Sequence, residues 1–167
     1  MNPGMDANAD LFMKEISHRI PVKPEATVQE RVAAATALGK SGNPAAVPPL
    51  IQSLSDPHRK VRLESALALG RLGDTEAVPA LISALNDPET EVRAAVIAAL
   101  GRIRDRRATR AIVSCLKDTD DRVRIGAAVV LGKLGDPRAI KPLEALGRDP
   151  FEEVRDAAAD AARRIRK

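Results

Sequence analysis

A chain of 167 residues that is 44% hydrophobic, 30% charged and 1% aromatic can bury a sizeable core, but only one built from Ala, Val, Leu and Ile. With two Phe, no Trp, no Tyr, one Cys and two His, it lacks the means for base-stacking platforms, aromatic cages, a disulfide framework or a Cys-based zinc site, and a reducing, cytoplasmic setting is expected. The net charge of +4 allows an anionic partner without requiring one, and no apolar run approaches the roughly 18 residues of a membrane span.

In chain order, residues 1–8 show no periodicity and are expected to be disordered. Residues 9–167 read as a single repeat domain. Its first part, residues 9–24, carries Phe12, Ile16 and Ile20 at helical spacing before the breakers Pro21 and Pro24. This segment is expected to be a degenerate helix that caps the stack, with docking to a partner as the alternative.

Residues 25–167 repeat with a period of 31. Asp56 to Asn86 is followed in register by Asp87 to Lys117 and Asp118 to Arg148, with Glu25 to Ser55 before them and a last partial copy from Asp149. Arg31, Arg62, Arg93, Arg124 and Arg155 form one column; Leu38, Leu69, Leu100 and Leu131 form another, and Gly39, Gly70, Gly101 and Gly132 a third. Each unit predicts a longer helix, with Val61, Ser65, Ala68, Leu69 and Leu72 on one face, and a shorter one with Val78, Leu81, Ile82 and Leu85. Asp56, Asp87, Asp118 and Asp149 are expected to N-cap the longer helices; Asn43, Asp74, Asp105 and Asp136 are expected to cap the shorter ones. Pro48, Pro79 and Pro142 should delay the first turns of the shorter helices. Lys40, Arg71, Arg102, Lys133 and Arg164 lie near the ends of the longer helices, where the macrodipole favours cations. One such pair cannot bury its apolar face alone, so neighbours must stack.

The recurring pattern D-P-x-x-x-V-R-x-x-A-x-x-A-L-G-x-L-G-D-x-x-A-V-P-x-L-I-x-A-L resembles the short HEAT repeats of the phycobilisome-lyase type, over roughly Glu25 to Lys167. The resemblance implies an all-α, right-handed α-solenoid of about five helix pairs, shorter helix first, with the second helices lining the concave surface. It also implies that the recurrent Asp and Arg form a hydrogen-bonding ladder between repeats, so Arg62 and its counterparts are expected to be structural. The family spans scaffolds, chromophore lyases and oxygenases.

Signatures of catalysis are missing. The hydroxylase branch of these repeats uses His-Glu pairs as metal ligands, whereas His18 and His58 are each followed by Arg. No phosphate loop or nucleophile elbow occurs. Cys115 stands where other copies have Ser53 and Ala84, which marks a packing position rather than a nucleophile. No cofactor, no metal and no catalytic residue are expected. The lyases of the family act largely by binding pigment and apoprotein, so a lyase-like or chaperone subunit stays open as an alternative.

The expected site is the side of the longer helices turned away from the core. A step of 100° per residue puts Leu63 and Leu67 opposite Val61, with Lys60 and Arg71 beside them. The same columns hold Val32 and Thr36, Ala94 and Ala98, Ile125 and Val129, then Asp156 and Asp160. Apolar residues at positions that should face solvent, rimmed by Lys60, Glu64, Glu91 and Arg122, predict a protein-binding groove, for an unidentified protein or for a second copy of the chain. The competing reading is a nucleic-acid site on the basic run Arg102, Arg104, Arg106, Arg107 and Arg110, where Arg104 replaces the Gly found at Gly42, Gly73 and Gly135. No base-reading or stacking residue accompanies that run.

Overall fold

A computed structural model of the chain describes residues 26–167. The helix expected over residues 9–24 and the tail 1–8 lie outside the described residues. In chain order the helices are α1 (Val28–Ser41), α2 (Val47–Ser53), α3 (Arg59–Leu72), α4 (Val78–Ala84), α5 (Thr90–Ile103), α6 (Thr109–Cys115), α7 (Asp121–Leu134), α8 (Ile140–Ala145) and α9 (Glu152–Ile165). The described residues contain no strand. Long and short helices alternate as the 31-residue period predicts.

The turns explain the regularity. Each of α1, α3 and α7 ends on a left-handed glycine, at Gly42, Gly73 and Gly135. Asn43, Asp74, Asp105 and Asp136 then cap a 3₁₀ turn, each side chain accepting the backbone N–H two residues on, and the turn leads directly into the short helix. The 3₁₀ turn Arg106–Ala108 forms although Arg110 occupies the column of Pro48 and Pro79, so the cap rather than the proline sets it.

The caps of the long helices differ from expectation. The N-caps of α3, α5, α7 and α9 are His58, Glu89, Asp120 and Phe151, two residues beyond the recurrent aspartates. Asp56, Asp87, Asp118 and Asp149 instead accept the N–H groups of His58, Glu89, Asp120 and Phe151, each closing an Asx turn just outside its helix. This placement leaves each carboxylate 25 residues after an arginine of the preceding long helix. Arg31, Arg62, Arg93 and Arg124 donate in a fork to Asp56, Asp87, Asp118 and Asp149, with Nε–Oδ2 distances of 2.6–2.8 Å. The other Nη of Arg62, Arg93 and Arg124 donates to backbone carbonyls of the preceding turn. The ladder implied by the family resemblance is present at all four junctions.

Packing divides the helices into two layers. Each short helix lies on the long helix that follows it, and each long helix lies directly against the next long one. At the long-helix contacts a Cβ on Gly39 or Gly70 would come within 2.7 Å of the Cα of Ala68 or Ala99, and one on Gly132 within 2.9 Å of the Cα of Ala161. Glycine is therefore required for close approach, not for backbone conformation. Consecutive short helices barely meet, and a groove of about 440 Å³ opens between α2 and α4. A stack that is tight along the long helices and open along the short ones curves with the long helices inside. Between the layers runs one continuous core that includes Leu38, Leu69, Leu100 and Leu131 from the long helices and Leu50, Leu81, Ile112 and Leu143 from the short ones.

The last long helix departs from its siblings. Arg163 of α9 stands in the glycine column, and Ala159 is exposed where Ala35, Ala66, Ile97 and Ala128 are buried. Arg155 keeps its backbone acceptors at Asp149 and Pro150 but has no carboxylate partner among the described residues. On α9, Ala159, Asp160, Arg163 and Arg164 are all exposed.

Candidate protein-binding face

The inner face is a grid with one row per long helix. Its apolar columns are Val32, Leu63, Ala94 and Ile125, then Leu67, Ala98 and Val129. The exposure of these seven is uneven. Val32, Leu63, Leu67, Ala94 and Ile125 are half-buried, and Leu63, Leu67 and Ala94 pack against the core. Only Ala98 and Val129 are exposed, Val129 at 38%. The expectation that the whole strip faces solvent is therefore corrected: close packing of the long helices covers the flanks of its larger side chains. What remains is a shallow apolar floor. A pocket of about 80 Å³ opens between α7 and α9, lined by Val129, Ala157, Asp160, Ala161 and Arg164.

The charged rim is partly self-satisfied. Glu64 accepts a 2.8 Å hydrogen bond from Arg71 on its own helix. Glu91 meets Arg59 at 3.5 Å, and Arg122 turns back onto Asp120, where its hydrogen bonds hold that carboxyl down to about 2. Lys60 has no ion-pair partner among the described residues. In the fifth row the apolar columns end in exposed Asp156 and Asp160, the latter paired with Arg163.

The cations at the helix ends form a further column of this face, of which the periodicity alone places only Arg71 beside the strip. Lys40, Arg71, Arg102, Lys133 and Arg164 are all exposed, one per row, beside the column of Leu67 and Val129. The signal was available in the 31-residue register; the macrodipole supplied a sufficient reason for each residue singly and hid the row.

The basic run is less available than its composition suggests. Arg106 donates to the carbonyl oxygens of Leu134 and Gly135, satisfying the end of α7, at 3.1 and 3.0 Å. Arg107 pairs with Asp105 and reaches back to the Thr75 carbonyl. Arg102, Arg104 and Arg110 stay exposed, with Arg104 in the left-handed conformation at φ 59° that its glycine counterparts adopt.

Chemically reactive groups are scarce. Burial pushes the Cys115 thiol up to about 11, which leaves it protonated and weakly nucleophilic at neutral pH. Among the described residues no cluster of His, Cys, Asp or Glu has metal-binding geometry, and no helix is long and apolar enough to cross a membrane. His58 is a helix cap, its Nδ1 accepting from the Lys60 N–H at 3.2 Å.

Comparison with known proteins agrees with this architecture. The pattern of HEAT repeats matches residues 23–89 and 78–163. The complex of CpcE and CpcF of phycocyanin lyase from Nostoc sp. PCC7120 is similar at 29% identity and a TM-score of 0.63, over 93% of this chain and 64% of that one. A designed armadillo repeat protein in complex with the peptide (KR)4 superposes with a TM-score of 0.67 at 18% identity, over 97% and 87% of the two chains. Human deoxyhypusine hydroxylase in complex with glycerol superposes with a TM-score of 0.56 at 16% identity, over 99% of both. No curated protein matches the sequence.

Proposed function

The chain belongs to the HEAT-repeat family, and from that premise we propose that it is a non-catalytic scaffold that binds a protein along its inner, long-helix face. The observation that carries this reading is the grid itself. Val32, Leu63, Leu67, Ala94, Ala98, Ile125 and Val129 form a shallow apolar floor, exposed at Ala98 and Val129. The flanking charges of Lys60, Glu64, Glu91 and Arg122 set orientation and on-rate more than affinity. Among the described residues no group of His, Cys, Asp or Glu could hold a metal ion.

Val129 is the position for the test, because Leu67 packs against the core and its replacement would confound binding with stability. Val129→Asp is expected to weaken partner binding by about 1–3 kcal/mol, the range of a truncated anchor in a desolvated contact. The partner is first obtained by affinity purification from the native host, and its affinity for wild type and variant is then measured by titration calorimetry. Helical circular dichroism and the melting temperature are expected to be unchanged. Undiminished affinity would remove the inner face as the site.

A second reading rests on the 29% identity to a phycocyanin lyase complex built from CpcE and CpcF. On that reading the protein partner is another repeat subunit, and the pair acts together on a third protein. Purification that yields a second HEAT-repeat chain in fixed stoichiometry supports it; a partner of unrelated fold excludes it.

A further inference from the structure

We infer that the occupant of the inner face is an extended acidic segment, held by the row Lys40, Arg71, Arg102 and Lys133; this rests on the scaffold reading above and names its class of partner. The first argument is charge. Over the first four rows the face carries Lys40, Lys60, Arg71, Arg102, Arg122 and Lys133 against only Glu64 and Glu91. Arg71 and Arg122 are held by Glu64 and Asp120, whereas Lys40, Lys60, Arg102 and Lys133 have no ion-pair partner among the described residues. Lys40, Arg102 and Lys133 thus leave unpaired cations along the C-terminal edge of the apolar floor, and Lys60 adds one at the opposite edge.

The second argument is spacing. Packed helices lie about 8–10 Å apart, and the glycine contacts put this stack at the close end of that range. A polyproline II segment rises about 3.1 Å per residue with three residues per turn, so side chains three apart recur on one side every ~9 Å. An acidic residue at every third position would meet one cation per repeat, and the residues between would lie over Leu67, Ala98 and Val129. A nucleic-acid strand fits less well. The phosphates of each duplex strand recur about every 3.4 Å of helix axis, and among the described residues no aromatic side chain lies on the face to stack a base. The acidic end row of Glu153, Asp156 and Asp160 repels the same ligand and gives the groove a direction.

The test is fluorescence anisotropy with a labelled peptide of five Pro-Glu-Leu triplets. Its controls are the Gln analogue, a peptide of the same composition with its glutamates clustered, and an oligothymidylate of matching length. The triplet peptide is expected to bind at least about tenfold more tightly than either control peptide, and to weaken steeply between about 50 and about 500 mM salt. The double variant Arg102→Glu/Lys133→Glu should lose about tenfold or more, the single variants Arg102→Gln and Lys133→Gln an intermediate amount, all with unchanged melting curves. Equal affinity for the Gln analogue overturns the acidic partner and leaves the scaffold reading standing. Equal affinity for the clustered peptide, insensitivity to the variants, tighter binding of the oligothymidylate, or no peptide binding at all overturns it too; the scaffold reading is judged separately by Val129→Asp.

Discussion

At the scale of single residues, the glycine column and Arg104 show opposite uses of the smallest side chain. Gly70 is needed because the Cα of Ala99 lies where its Cβ would go, and backbone cannot move aside as a side chain can. At Gly101 the nearest atom is Cγ2 of Val130, at the tip of a side chain. Gly70→Ala is therefore expected to destabilise by about 1–3 kcal/mol despite the better helix propensity of Ala, and Gly101→Ala by clearly less. Urea unfolding of the two variants side by side checks the order. Arg104 is the converse, a side chain in a conformation that suits glycine. Because it makes no hydrogen bond through its guanidinium, Arg104→Gly should raise stability by about 1 kcal/mol, read as a higher melting temperature. The glycine column was plain in the sequence; its cause was not, since a contact with the next repeat depends on the distance between helices and leaves no local signal. The unusual turn at Arg104 was legible because its three counterparts are all glycine.

Elements are joined by the arginine ladder, and its electrostatics set a pH dependence. Burial alone would raise the carboxyl pKa of Asp56, Asp87 and Asp118. The arginine fork, the Asx-turn N–H and the positive charge together outweigh it and hold each below the ordinary range. At Asp149 the Arg124 fork is the largest influence, and the direction is the same. A carboxylate with a depressed folded pKa contributes stability that is fully present above its unfolded value of about 3.9 and is lost as pH falls through the folded pKa. Asp87→Asn should thus lower the melting temperature at neutral pH, on the scale of about 3 kcal/mol for breaking a largely buried pair, and the gap from wild type should close as pH falls below about 4. Melting curves from pH 7 to pH 2 follow it. Helix order and the short-helix caps were readable because Asn or Asp followed by a short apolar run has a local cause. The long-helix caps were misplaced by two residues: an aspartate before a helix satisfies two descriptions, N-cap and Asx turn, and the partner that decides between them is an arginine 25 residues back.

Across the whole molecule, sequence periodicity located the inner face but overestimated how much of it is open. The 100° rule treats each helix as if it had one neighbour. In this stack every inner long helix has three, the short helix behind it and a long helix on each side, and Leu63 and Leu67 lose exposure to the lateral pair. The basic run was similarly discounted by position, since the carbonyl ends met by Arg106 and Arg107 belong to other repeats. The cationic row was legible only at Arg71; that its counterparts continue along the same face emerges when the helix ends are viewed together.

Arg163 in the glycine column bears on how such a molecule could change its length in evolution or in the laboratory. A duplicated Asp87–Lys117 unit inserted between existing copies finds a glycine on one side, a small residue on the other, and an unbroken succession of arginine and aspartate. The same unit joined after α9 meets the Arg163 side chain where a helix backbone must pass. A repeat can be added in the middle without loss of fit, whereas one packed against α9 in the same way needs a small residue at position 163.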